Sequence, residues 1–173
     1  MPDAMAKDRL LIRDARPREL GEAARVIRDA YLEYERFFPP EAWKSYLDDI
    51  MDVRRRRNVS ELIIAEMGGK IAGAVTLYPD GFRSKHESWP RGWAGIRLLA
   101  IHPAFRGRGI SRALMAECIR RCRERGIRTI GLHTAKIMAV AQGMYERIGF
   151  VRAPEYDFHP RPGTVVMAYR LEL

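Results

Sequence analysis

Ile96-Arg97-Leu98-Leu99-Ala100-Ile101-His102-Pro103-Ala104-Phe105-Arg106-Gly107-Arg108-Gly109-Ile110-Ser111 is the stretch whose reading decides the fold. Its first half is a largely apolar run, the pattern of a strand buried on both faces. Pro103 has no amide hydrogen to give a sheet and stops the strand. After the glycines, Ile110, Leu114, Met115, Cys118, Ile119 and Cys122 recur at helical spacing, and Gly126 stands where a helix ends. Strand, glycine-rich loop and helix start therefore follow one another. A helix start carries unpaired amides and a partial positive charge. Gly107 and Gly109 let the backbone approach an anion closely, and Arg106 and Arg108 add full charges. The segment Arg106–Ser111 is thus a candidate cradle for a pyrophosphate. Two other phosphate motifs are excluded. No Gly-Lys-Ser/Thr closes the loop, and the third glycine of a dinucleotide fingerprint is replaced by Arg112.

Outward from this centre, the hydrophobic periodicity predicts a first strand at Leu10–Ile12. A helix follows, with Pro17 in its first turn and an apolar face running from Leu20 to Tyr34. Pro39 and Pro40 separate it from a second helix bearing Trp43, Tyr46, Leu47, Ile50 and Met51. That helix runs into Arg54–Arg57, read as a solvated end that suits the negative pole of the dipole. Leu62–Glu66 and Ile71–Tyr78 read as a hairpin turned at Gly68-Gly69. Pro79–Arg91 reads as a loop and Trp93–Ile101 as the fourth strand. After the helix Gly109–Arg125 come a strand at Thr129–Thr134 and a short helix at Ala139–Ile148 closed by Gly149. The last two strands fall near Val151–Phe158 and Val165–Leu171, joined at Pro160-Arg161-Pro162-Gly163. The expected fold is α/β: a mixed central sheet of about seven strands with helices on both faces. Residues 1–173 are expected to form a single domain.

Composition narrows the function classes. The chain holds 31 Lys and Arg against 22 Asp and Glu, a formal charge of +9 that draws anions. Lysine stands only at positions 7, 44, 70, 85 and 136, so arginine carries most of the basic charge and its excess reads as a compositional habit. No nucleic-acid recognition motif accompanies it, and nucleic acid is not an expected partner. No apolar run nears the roughly 20 residues that span a bilayer, and no membrane contact is expected. Met1–Leu10 lacks the apolar core of a secretory signal, so a cytoplasmic location is expected. The two cysteines, Cys118 and Cys122, are expected to be buried thiols. No nearby His or Cys completes a zinc set, and no metal site is expected.

The motif Arg106-x-x-Gly109-x-Ser111, placed after a strand, resembles the coenzyme-A signature of the GNAT family of N-acetyltransferases. Ser111 stands where the family has Gly or Ala. Further on, Ala141-Gln142-Gly143-Met144-Tyr145-Glu146-Arg147-Ile148-Gly149-Phe150 resembles the second family signature. The order of elements matches as well. The resemblance implies an acyl-CoA N-acyltransferase fold and acetyl-CoA as cosubstrate. Pantetheine is then expected along the backbone of Leu99, Ala100 and Ile101. The pyrophosphate is expected at Arg106, Gly107, Arg108, Gly109, Ile110 and Ser111. Tyr145 is expected as the acid that protonates the departing thiolate, a role its phenol suits with a reference pKa of about 10. The implied reaction acetylates a primary amine of a small-molecule or protein acceptor. The family often forms homodimers, though the sequence locates no interface.

The chain departs from the family at one point. Many members carry a Glu on the fourth strand, where this chain has Gly95, and that strand holds no carboxylate. The base is then a water chain or a carboxylate from elsewhere, such as Glu33 or Glu35, although both of these read as a solvated helix face. His102 reads as a loop histidine satisfied by water, and His133 as lining the cleft or filling it. Phe82, Trp89 and Trp93 flank the loop that could cover the cleft, and Tyr156, Asp157, Phe158 and His159 stand where acceptor contacts could arise. The missing carboxylate gives weight to an alternative, a non-catalytic acyl-CoA-binding regulatory module. Tyr145 gives weight to the enzyme.

Overall fold

The computed structural model describes residues 9–84 and 89–173. Residues 1–8 of the N-terminal segment and 85–88 of the expected loop lie outside the described residues. Along the chain run β1 (Leu10–Asp14), α1 (Leu20–Tyr31), α2 (Pro40–Met51), α3 (Val53–Arg56), β2 (Glu61–Met67) and β3 (Lys70–Tyr78). After them come β4 (Ala94–Ile101), α4 (Ile110–Glu124), β5 (Thr129–Thr134), α5 (Ala139–Ile148), β6 (Val151–Arg152), β7 (Phe158–Arg161) and β8 (Thr164–Glu172). The fold is mixed α/β, as expected. The chain divides into two compact units, Met1–Thr76 with Leu98–Glu117 and Leu77–Arg97 with Cys118–Leu173, and β3, β4 and α4 each run through both.

In the first unit the strand order is β1-β2-β3-β4. β1 pairs antiparallel with β2, Leu10 opposite Met67 and Asp14 opposite Ile63. Gly68 and Gly69 take φ of 59° and 75°, the positive values that a tight two-residue hairpin turn requires. α1 buries Leu20, Ala23, Ala24, Ile27, Ala30 and Tyr31, a stripe at three- and four-residue spacing. After Tyr31 the chain tightens into a 3-10 segment, Leu32–Phe37, so the regular helix ends three residues before the Tyr34 that periodicity suggested. At the β1 end, Arg13 bridges Glu19 and Glu66 at 2.7 and 2.6 Å.

In the arginine run at 54–57, Arg54, Arg55 and Arg57 are exposed as expected, and Arg56 alone corrects the expectation of a solvated end. Asp52 breaks the helix, and its carboxylate accepts from the Arg55 amide to start α3. Arg56 is only 6% exposed. Its guanidinium donates to the carbonyls of Asp49 and Ile50 at 2.6 and 2.8 Å, at the end of α2 where the Asp49 carbonyl also accepts from the Asp52 amide. The dipole argument holds, but for a buried side chain.

In the second unit β5 lies parallel to β4, Ala94 opposite Ile130 and Ile96 opposite Leu132. β8 pairs antiparallel with β5 from Thr129↔Glu172 to Thr134↔Met167. β6 and β7 both pair with β8. The single strand expected over Val151–Phe158 is therefore two. Pro154 opens a 3-10 turn, Pro154–Tyr156, that interrupts pairing between them, and the described residues hold eight strands where about seven were expected. Asp157 pins the interruption. Its carboxylate takes both guanidinium nitrogens of Arg152 at 2.8 and 2.7 Å and the Ala168 amide at 2.7 Å. Cys118 and Cys122 are buried and form no disulfide.

Candidate functional site

β4 enters the candidate loop through a distorted strand. Leu98 takes φ 56°, the single positive value at a non-glycine residue among the described residues. A left-handed leucine costs roughly 1–2 kcal/mol, so its surroundings hold it there. Ala100 is buried and Leu99 and Ile101 are half-buried. The Tyr31 hydroxyl stands 3.5 Å from the Leu99 carbonyl, and the His102 amide donates to Ala72 O at 2.9 Å.

Beyond the strand, Pro103–Phe105 forms a 3-10 turn. His102 caps it, Nδ1 accepting from the Ala104 amide at 3.1 Å while Nε2 lies 3.7 Å from Asp29. The water-satisfied reading of His102 is corrected accordingly. Gly107 and Gly109 take φ of 76° and 73°. A Cβ at either would meet nothing within 4 Å, so the backbone angle and not crowding calls for glycine there. α4 then starts. The first bond of its ladder runs from the Ala113 amide to Gly109 O at 3.1 Å. The amides of Ile110, Ser111 and Arg112 precede that bond, as the first amides of any helix do. Ile110, 2% exposed, seats the helix start in the core.

The two loop arginines behave differently. Arg108 lies over the Phe105 ring, 5.6 Å from its centroid, with Nη1 3.6 Å from the Met67 sulfur. Arg106 turns back to the end of α1. Its Nη2 donates to Glu33 Oε1 at 2.8 Å and to Ala30 O at 3.2 Å. Glu33 is therefore an ion-pair partner, which argues against it as a base. Open glycine backbone, a helix N-terminus and an arginine in one short loop form a donor set that fits a pyrophosphate.

Tyr145 belongs to the second unit. It is 7% exposed on α5, its ring edge-on to Phe150 at 5.9 Å between centroids. Gly149, at φ 115°, ends the helix by donating to Tyr145 O and Glu146 O. One turn away, Gln142 donates to the Tyr169 hydroxyl at 2.8 Å, and that hydroxyl donates to Glu146 at 3.0 Å. Burial, then the Glu146 carboxylate, holds the Tyr169 phenol above its ordinary pKa.

Trp89 organises the aromatic side of this unit. Its indole is 1% exposed, stacks on His133 at 4.5 Å and on Trp93 at 5.7 Å, and meets Tyr156 at 5.6 Å. A Cβ on Gly131 would stand 2.6 Å from the indole, and one on Gly95 would stand 3.2 Å from it. The space where a Gly95 side chain would start is thus occupied by Trp89. His133 is half-buried, with Nε2 2.8 Å from the Tyr156 carbonyl. Asp157 is committed to Arg152, whose guanidinium, followed by the Ala168 amide, holds the carboxyl below its ordinary pKa. Sequence reasoning placed the candidate loop between β4 and α4 and Tyr145 on α5, and the structure has the same elements there. The same reasoning missed Leu98, the Arg106–Glu33 pair and the seat of Trp89, because each depends on residues far apart in the chain. The small residues Gly95 and Gly131 were the available signal for Trp89. Among the described residues, no cluster of three His, Cys, Asp or Glu could hold a metal, and no helix is long and apolar enough to cross a membrane.

The model of the acetyltransferase (GNAT) family matches residues 26–150. Solved structures with the same fold include the PaiA N-acetyltransferase of Thermoplasma acidophilum in complex with coenzyme A. It is 16% identical, with 95% of this chain and 99% of that one covered and a TM-score of 0.74. A GNAT-family acetyltransferase from Brucella melitensis in complex with acetyl-CoA is 23% identical, covers 96% and 89%, and has a TM-score of 0.66. The ribosomal-protein-S18-alanine N-acetyltransferase of Escherichia coli is 18% identical, covers 95% and 94%, and has a TM-score of 0.67.

Proposed function

Since the chain belongs to the GNAT acetyltransferase family, we propose that it moves an acetyl group from acetyl-CoA to a primary amine of a small-molecule or protein acceptor. One observation carries the donor side. Gly107 and Gly109 hold positive φ in an open loop that runs straight into the N-terminus of α4. The amides from Gly107 to Ser111 receive the pyrophosphate, and the Arg108 charge adds to them. Leu99, Ala100 and Ile101 offer strand backbone to the pantetheine arm. Bound acetyl-CoA supplies the thioester carbonyl at which the amine forms its new bond as the carbon–sulfur bond breaks. Tyr145 gives its phenolic proton to the departing sulfur, an assignment supported by its place in the Ala141–Phe150 motif, and the proton that the amine sheds passes through solvent water and restores the phenol. The family match runs through residues of both compact units, which supports a single working domain over 1–173.

A second reading, an acyl-CoA-binding module without turnover, is favoured by the Trp89 indole at Gly95 and by the lack of a carboxylate on Ala94–Ile101. Calorimetric titration with acetyl-CoA, coenzyme A and 3′-dephospho-coenzyme A tests the donor site, followed by thiol release with a panel of amines. Saturable binding with thiol release supports the enzyme. Binding with no release for any amine supports the module. No binding removes both.

A further inference from the structure

In a phosphate-binding loop, an arginine is expected to spend its charge on the phosphate. Arg106 does not. Its guanidinium is bonded to Glu33 and to the carbonyl of Ala30, and its amide closes the Pro103 turn at 3.4 Å. Ala30 O belongs to the last turn of α1, where a cation suits the helix dipole. Glu33 lies in the 3-10 segment that follows. Next to it, burial and then the Glu33 carboxylate raise the Tyr34 phenol. Tyr31, one residue beyond Ala30, reaches the Leu99 carbonyl of β4. The corner where α1 becomes 3-10 is therefore tied to the loop by one side chain and to β4 by another.

We propose that Arg106 is a positioning residue. It acts through Glu33 and Ala30 to hold the α1 corner, residues 30–37, against the loop, and it does not act as a phosphate ligand. The proposal rests on the coenzyme-A reading of the loop. A pyrophosphate that orders the loop backbone fixes the Arg106 Cα, and the guanidinium then leaves Glu33 and Ala30 O less often. Donor binding is in this way felt at the corner without any change in its contacts.

Amide hydrogen exchange of residues 30–37, with and without saturating coenzyme A, tests this on the full chain. It is paired with calorimetry against coenzyme A at low and high salt. The proteins compared are wild type, Arg106→Gln, Glu33→Gln and the double variant. Expected is a severalfold slowing of exchange by coenzyme A in the wild type that is lost in both single variants, with no further loss in the double, as for two partners in one contact. A strap that only adds stability would speed exchange in the unliganded variants but leave the response to coenzyme A intact, and that result overturns the proposal. So does a wild-type response in Glu33→Gln beside an Arg106→Gln protein with weakened coenzyme A binding and a shallower salt dependence. Failure of the wild type to bind coenzyme A overturns the donor-site reading itself. Binding without a response at 30–37 overturns the role of Arg106 alone.

Discussion

Gly109 and Tyr145 carry the two tests that can be argued at single residues. At Gly109 the φ of 73° is the constraint and the surrounding space is open. Gly109→Ala therefore pays only the left-handed strain, about 1 kcal/mol, and keeps coenzyme A binding. Gly109→Glu adds a negative charge beside the amides that receive the pyrophosphate, and binding is lost. Calorimetry on the pair separates strain from charge, and tight binding by Gly109→Glu would show that the loop takes no phosphate. Tyr145 is buried against Phe150, so its ring packs whatever its hydroxyl does. Tyr145→Phe keeps the ring and removes the proton. Turnover is expected to fall by about 100-fold, the scale of a lost general acid, with coenzyme A affinity kept. Equal thiol release by the two proteins would return Tyr145 to packing alone.

Individual elements show what the sequence discloses and what it hides. β5 and α5 have the bounds their periodicity and flanking glycines suggest, because both signals are local. The glycines of the candidate loop were legible for the same reason. Arg56 was not. Four arginines in a row read alike, and only the break at Asp52 decides which one turns inward to the end of α2. Arg56→Ala leaves two helix-end carbonyls without their charged donor and is expected to cost about 2–3 kcal/mol, read as a lowered thermal midpoint. Arg54→Ala, at an exposed neighbour, is the comparison and should stay within about 0.5 kcal/mol. β5 hides a second dependence. Gly131 is small because Trp89, from a distant loop, lies across it. Gly131→Ala forces a methyl group to 2.6 Å from the indole, an overpacking cost of about 1–3 kcal/mol. Trp89→Phe should lower that cost, so the double variant is more stable than the sum of the two single losses predicts. Strict additivity would mean that indole and strand do not meet.

Across the whole molecule, charge sets the response to acid. The chain starts from an excess of +9, and each carboxylate protonated adds to that self-repulsion. The carboxylates are not equivalent. Hydrogen bonds from Arg13, and next from the Arg16 amide, hold the Glu19 carboxyl at about 2 against an ordinary 4.5. Asp157 is lowered too, by Arg152 first. A depressed folded-state pKa means that the unfolded chain binds the proton more readily. The stability these groups add is therefore present above the ordinary carboxylate range and disappears as pH falls through their folded values. Glu19→Gln should be less stable than the wild type at neutral pH, and the difference should close between pH 4.5 and about 2. Denaturant unfolding followed by circular dichroism at several pH values reads that gap directly. High salt screens the general repulsion and shifts both proteins together, since both carry the same excess elsewhere. A gap that persists unchanged at pH 2 would mean that Glu19 contributes through packing and not through its charge on Arg13.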